Sequence, residues 1–146
     1  MKIKRNGFTL IELVVVIMIL GILAGVAAPK LLSVSGDATD NGLKQTLSIV
    51  RDAIELYAAN NGGALPTCTG DGTGSGNFHE DLAPFIRGGT FPISPVGTKD
   101  FKVTPTAVAG TTTADGLTGW MFNTADGTFI CNDSGTANDG TVYSAL

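Results

Sequence analysis

Between Arg5 and Lys30 the chain carries a single ionisable side chain, Glu12, and it sits at the start of an apolar run from Leu13 to Ala28. A carboxylate inside a membrane-spanning helix costs on the order of 2.5–3.5 kcal/mol, so it needs a cationic partner or a polar escape. Arg5, about two helical turns earlier, is one candidate partner. The peptide bond between Gly7 and Phe8 offers another. Cleavage there would give Phe8 a free α-amine one helical turn before Glu12, on the same helical face. Amine and carboxylate would then neutralise each other, within one chain or between neighbours, where the dielectric is low.

Other residues with chemical potential are sparser. Cys68 and Cys131 are the two cysteines. In an exported chain a disulfide persists, so a bond between them is expected here. It would close a loop of roughly 60 residues and contribute about 4 kcal/mol in the chain-entropy picture; two buried thiols are the alternative. Asp126, Asp133 and Asp139 fall in a stretch rich in oxygen donors, which suits calcium chemically, although no EF-hand spacing is present and such residues are also common turn formers. His79 is the one histidine, beside Glu80 and Asp81, and reads as part of a solvated loop. One histidine and two distant cysteines make a poor zinc set, and neither cysteine lies in a nucleophile motif. A catalytic function finds no support in these residues, and no cofactor is expected beyond the calcium option.

The elements that must position these groups follow from composition and period. In 146 residues there is room for one ordinary domain. Charged residues make up 15%, against a norm of roughly 25%, and 43% of residues are apolar. A disordered chain is thereby excluded. A net charge of −4 argues against nucleic acid as a partner. The apolar run counted from Phe8 is about 21 residues, enough at ~1.5 Å each to cross a ~30 Å hydrocarbon core. Lys2, Lys4 and Arg5 precede it, which predicts a cytoplasmic N-terminus and an exported remainder. Gly21, Gly25 and Pro29 make its second half the softest stretch of helix.

After Pro29, Leu43, Leu47, Val50, Ile54 and Tyr57 form one apolar stripe at helical spacing, stopped by Asn61-Gly62-Gly63. Thr69 to Asn77 is glycine-rich but lacks the Lys-Ser/Thr of a phosphate-binding loop. Phe78 to Ile86 reads as a helical turn directing Leu82, Phe85 and Ile86 inward. Short β-type runs follow at Phe101–Thr104, Gly119–Asn123, Thr128–Cys131 and Thr141–Ser144, with Asp126-Gly127 as a hairpin signal. The expected fold is α+β, a long N-terminal helix with an apolar membrane half and an amphipathic half, packed on a small antiparallel sheet. Its segments are residues 1–7, 8–29, 30–62 and 63–146.

Lys4-Arg5-Asn6-Gly7-Phe8-Thr9-Leu10-Ile11-Glu12 resembles the class III signal of type IV pilins and type II secretion pseudopilins. That resemblance implies cleavage after Gly7 by a prepilin peptidase and methylation of the Phe8 amine. It also implies pairing of Glu12 with the amine of a neighbouring subunit, and unwinding around Gly21–Pro29 in assembled filaments. The implied partners are identical or related pilin-like subunits, the peptidase, an inner-membrane assembly platform with its ATPase, and a secretin. A structural subunit of a type II secretion pseudopilus is the expected function, with a type IV pilin as the near alternative. The loop Leu82-Ala83-Pro84-Phe85 with Phe91-Pro92 and Pro95 is similar, loosely, to that between helix and sheet in pseudopilins. A secreted or membrane-anchored binding domain with an ordinary signal sequence is the reading from another class; it puts cleavage near Ala24 to Ala28 and leaves Glu12 unexplained.

Overall fold

The structure, a computed structural model, describes residues 7–69, 78–110 and 112–146. The basic residues before Gly7 and nearly all of the glycine-rich stretch expected at Thr69 to Asn77 lie outside the described residues. Helix α1 (Leu10–Asn60) is followed by a short helix α2 (Phe78–Leu82), strands β1 (Val103–Thr106), β2 (Trp120–Asn123) and β3 (Phe129–Cys131), and a 3-10 turn at Tyr143–Ala145. Packing divides the chain into two units, Met1–Ser35 and Gly36–Leu146.

In the first unit α1 presents its large apolar side chains to the surroundings, from Leu13 and Val14 through Leu23 and Val26. It contains a stretch long and apolar enough to cross a membrane. Pro29 lies inside α1, and the helix continues past it. The soft segment Gly21–Pro29 is therefore helical in the single chain: one missing amide and two glycines do not outweigh the hydrogen bonds on either side.

In the second unit the expected stripe is the buried one. Leu43, Leu47, Val50, Ala53 and Ile54 are all in the core, with Tyr57 packed against its margin. The helix ends as its sequence requires. Gly62 has φ +68°, which a side chain disfavours, and the Gly63 amide donates to the Ala58 carbonyl at 2.7 Å, satisfying one of the orphan carbonyls of the last turn.

The aromatic residues centre on Phe78, whose ring lies 4.6 Å from that of Phe122 and 5.7 Å from that of Phe91. Trp120 stacks on Phe129 at 5.4 Å, and its indole N–H donates to the Pro92 carbonyl at 2.9 Å. Leu82 and Ile86 are buried as expected and Phe85 is half-buried.

The sheet departs from expectation in three ways. β1 pairs parallel with β2, so the sheet is mixed: only β2 and β3 run antiparallel. The connection 107–119, about a dozen residues, is long enough to return the chain to the starting edge, which a tight hairpin cannot do. β1 also begins later than Phe101, because the Asp100 carboxylate accepts the amides of Lys102 (3.1 Å) and Gly119 (2.7 Å) and holds this entry in a turn. Thr141–Ser144 is not a strand. A single bridge joins Thr136 to Val142 before the chain enters the 3-10 turn, where the Tyr143 hydroxyl donates to Asp40 at 3.1 Å.

Arg51 on α1 covers the outer edge of β3. Its guanidinium donates twice to the Phe129 carbonyl, at 3.0 and 2.9 Å, and once to the Leu146 carbonyl oxygen at 2.6 Å. An unpaired strand edge invites pairing with another chain, and a charged side chain laid across it prevents that.

Candidate functional site

At the start of α1, Thr9 and Glu12 form a capping box. The Thr9 amide and hydroxyl donate to Glu12 Oε2 at 2.9 and 2.7 Å, and the Glu12 amide donates back to the Thr9 hydroxyl at 3.3 Å. These bonds satisfy helix-end donors that have no partner within the helix itself. Sequence reasoning passed over this pair, although the Thr9-x-x-Glu12 spacing is the signal that could have found it. Its meaning is that Glu12 has a local polar neighbour in addition to any charge it meets elsewhere.

Phe8, Ile11, Glu12, Val15 and Val16 line one hollow of about 320 Å³, so Phe8 and Glu12 do share a face. The hollow's lining is almost wholly apolar, so Glu12 enters it with its hydrocarbon stem while its carboxylate stays with Thr9. Gly7 precedes the helix in irregular backbone. Gly21 and Gly25 have open space where a side chain would begin, so no packing within this chain demands glycine there.

The remaining candidates are dispersed. The expected bond between Cys68 and Cys131 is absent: both are free thiols buried in the core. Cys68 Sγ lies 4.0 Å from the Val103 carbonyl on β1, whereas Cys131 is on β3 with its Sγ 3.8 Å from the Ser94 hydroxyl. Trp120 of β2 pairs with both Val103 and Cys131 and stands between them. Burial pushes each thiol up to about 11, which leaves both poor nucleophiles. Two thiols per chain are therefore expected to react with an alkylating reagent only after denaturation. A native chain yielding none even when denatured without reductant would contradict this arrangement.

The three aspartates serve separate turns. Asp126 accepts the amides of Gly110 (2.8 Å) and Thr128 (2.9 Å), and Asp133 accepts that of Gly135. Asp139 accepts the Thr141 amide at 2.9 Å and faces Lys44 Nζ at 3.2 Å; these contacts hold its carboxyl down to about 2. Among the described residues no three His, Cys, Asp or Glu side chains gather as a metal-binding group.

Sequence reasoning passed over two buried asparagines that organise this end of the sheet. The Asn132 carbonyl accepts the amides of Asp115 (2.8 Å) and Gly116 (3.3 Å), while its amide donates to the Asp115 carboxylate (2.6 Å) and the Thr118 hydroxyl (3.0 Å). Asn123 donates to the Val108 carbonyl at 2.8 Å and to Asp126 at 3.1 Å. Together they fasten both ends of the connection 107–119. His79, expected in solvent, is half-buried and stacked on Phe91 with ring centroids 4.3 Å apart.

A capped apolar helix with one acid after a Gly-Phe junction, and a long helix packed on a small sheet, are similar to the arrangement of pilin-like proteins. The family described as the prokaryotic N-terminal methylation motif matches residues 2–28. Over 71 residues the chain is 42% identical to prepilin peptidase-dependent protein D of Escherichia coli, covering 49% of this chain and 48% of that one. It is 37% identical over 65 residues to the type IV narrow pilus major component PilA5 of Thermus thermophilus, covering 44% of this chain and 55% of that one. With type II secretion system core protein G of Pseudomonas aeruginosa it shares 36% identity over 58 residues, 40% of this chain and 41% of that one. The chain thus spans about half the length of the curated relatives it matches. No solved structure matches it. The long helix packed on a small mixed sheet fits the α+β pilin fold.

Proposed function

We propose that this chain is a structural subunit of a type II secretion pseudopilus, anchored in the inner membrane and polymerising through α1 to support protein export. The observation that carries the reading is the placement of Phe8 and Glu12 on one face of a capped helix whose apolar side chains find no cover in their own unit. Packing α1 against other copies replaces lipid contacts with helix contacts at little change in hydrophobic energy, so specificity falls to the few polar groups. The cytoplasmic side keeps the basic leader and the second unit is exported. An assembly platform, its ATPase and a secretin would be the machinery.

A type IV pilin is the second reading, favoured by the likeness to a narrow-pilus component. The likeness to type II secretion core protein G supports the pseudopilus. Mass spectrometry of the exported protein is expected to find N-methylated Phe8 as the first residue. A mature chain beginning near Ala28 would overturn both filament readings in favour of an ordinary signal sequence. Deleting the gene separates the two filaments: secretion fails in one case, and adhesion, motility or DNA uptake in the other.

A further inference from the structure

His79 sits where a charge is unwelcome. Its ring is stacked on Phe91 and meets Phe101 edge-on, with centroids 5.7 Å apart. Nε2 is sealed from solvent without a hydrogen-bond partner, and the Phe101 backbone carbonyl only partly offsets the effect of burial on the ring. The neighbouring cavity, about 320 Å³, is lined by Gly89, Thr90, Phe91, Ile93 and Phe101, none of them ionisable. Charged groups on the adjoining segments turn elsewhere. On its own helix, Glu80 is exposed, and Asp81 accepts the Thr67 amide and hydroxyl at 3.2 and 3.3 Å. Asp100 accepts the Lys102 and Gly119 amides, while Arg87 and Lys99 are exposed. Among the described residues no carboxylate is placed to receive a proton carried on Nε2.

We propose that His79 is an acid-operated latch, in which a proton from water added at Nε2 unseats the ring from Phe91 and loosens α2 and the segment 89–101 from the sheet. The neutral ring closes the latch. Protonation creates a second N–H with no acceptor, in a place where a charge is poorly solvated, and the ring reaches water only by leaving the stack. Release would widen the apolar surface already offered by Ile93 and Phe101, which are 60% and 42% exposed.

Burial lowers the His79 pKa from its ordinary value near 6.5 while the latch is closed. Above 6.5 both states are neutral and closure is fully stable. As pH falls below 6.5 the open ring takes up a proton first, so closure weakens until the closed ring also titrates. Because His79 is the only histidine, its resonance is unambiguous.

The test uses the full chain in detergent micelles between pH 7.5 and 5.5. NMR follows the His79 ring, and hydrogen exchange follows the amides of 78–86, in the wild type and in His79→Phe. The expected midpoint lies below 6.5. With intrinsic exchange rates divided out, the wild-type opening constant should rise by up to about tenfold per pH unit, and that of His79→Phe should stay level. A midpoint at or above 6.5, or the same acid response in both proteins, overturns the latch. Should His79→Phe fail to fold, the midpoint of the wild-type ring decides alone.

Discussion

Glu12→Val is expected to leave cleavage after Gly7 and methylation of Phe8 intact, yet to abolish filament assembly when it is the sole subunit. The substitution removes the one acid of the apolar segment, so on the proposed pairing the Phe8 amine of a neighbouring chain would have no mate. An unpaired charge at that depth costs about 2.5–3.5 kcal/mol, roughly a hundredfold in subunit association. The capping box adds a second effect, because a valine side chain cannot accept the Thr9 hydrogen bonds, a loss of about 1 kcal/mol in helix stability. Glu12→Gln separates the two. Glutamine can accept the Thr9 hydrogen bonds and keeps the cap, but carries no charge. Normal filaments from Glu12→Gln, imaged after overexpression, would mean that capping rather than charge pairing is what Glu12 contributes to assembly.

Asn132→Leu is expected to destabilise the second unit by about 3 kcal/mol, since the Asp115 and Gly116 amides and the Asp115 carboxylate lose a buried partner. Asn132 is 1% exposed and makes four hydrogen bonds to the connection 107–119. Leucine has the same branched skeleton but bulkier ends, so no cavity forms and the cost reports unsatisfied polar groups together with crowding. Ser134→Ala, an exposed position two residues on, serves as the control and should change stability by no more than ~0.5 kcal/mol. Denaturant unfolding can be followed by the fluorescence of Trp120, the only tryptophan, which is fully buried beside Phe129. Equal midpoints for Asn132→Leu and wild type would show that the connection holds without this side chain.

The two substitutions probe different ranges along the chain. Glu12, Thr9 and Phe8 act on groups a turn away, and everything they do at the helix start is written in neighbouring residues. Asn132 acts on Asp115 and Thr118, and nothing in the run Asn132-Asp133-Ser134-Gly135 distinguishes an asparagine that fastens a distant loop from one that merely makes a turn.

The helix, its apolar and amphipathic halves and its glycine stop could be read from the order of residues, because each depends on periods and neighbours within a few positions. The buried stripe Leu43–Ile54 followed for the same reason: one face of a helix has a single spacing. Other features emerged only on folding: β1 lies parallel to β2, Tyr143–Ala145 is a turn rather than a strand, Cys68 and Cys131 are separate buried thiols, and His79 is half-buried against Phe91. Those outcomes rest on contacts between residues tens of positions apart. The packing of the whole second unit sets which of several equally allowed local conformations survives there.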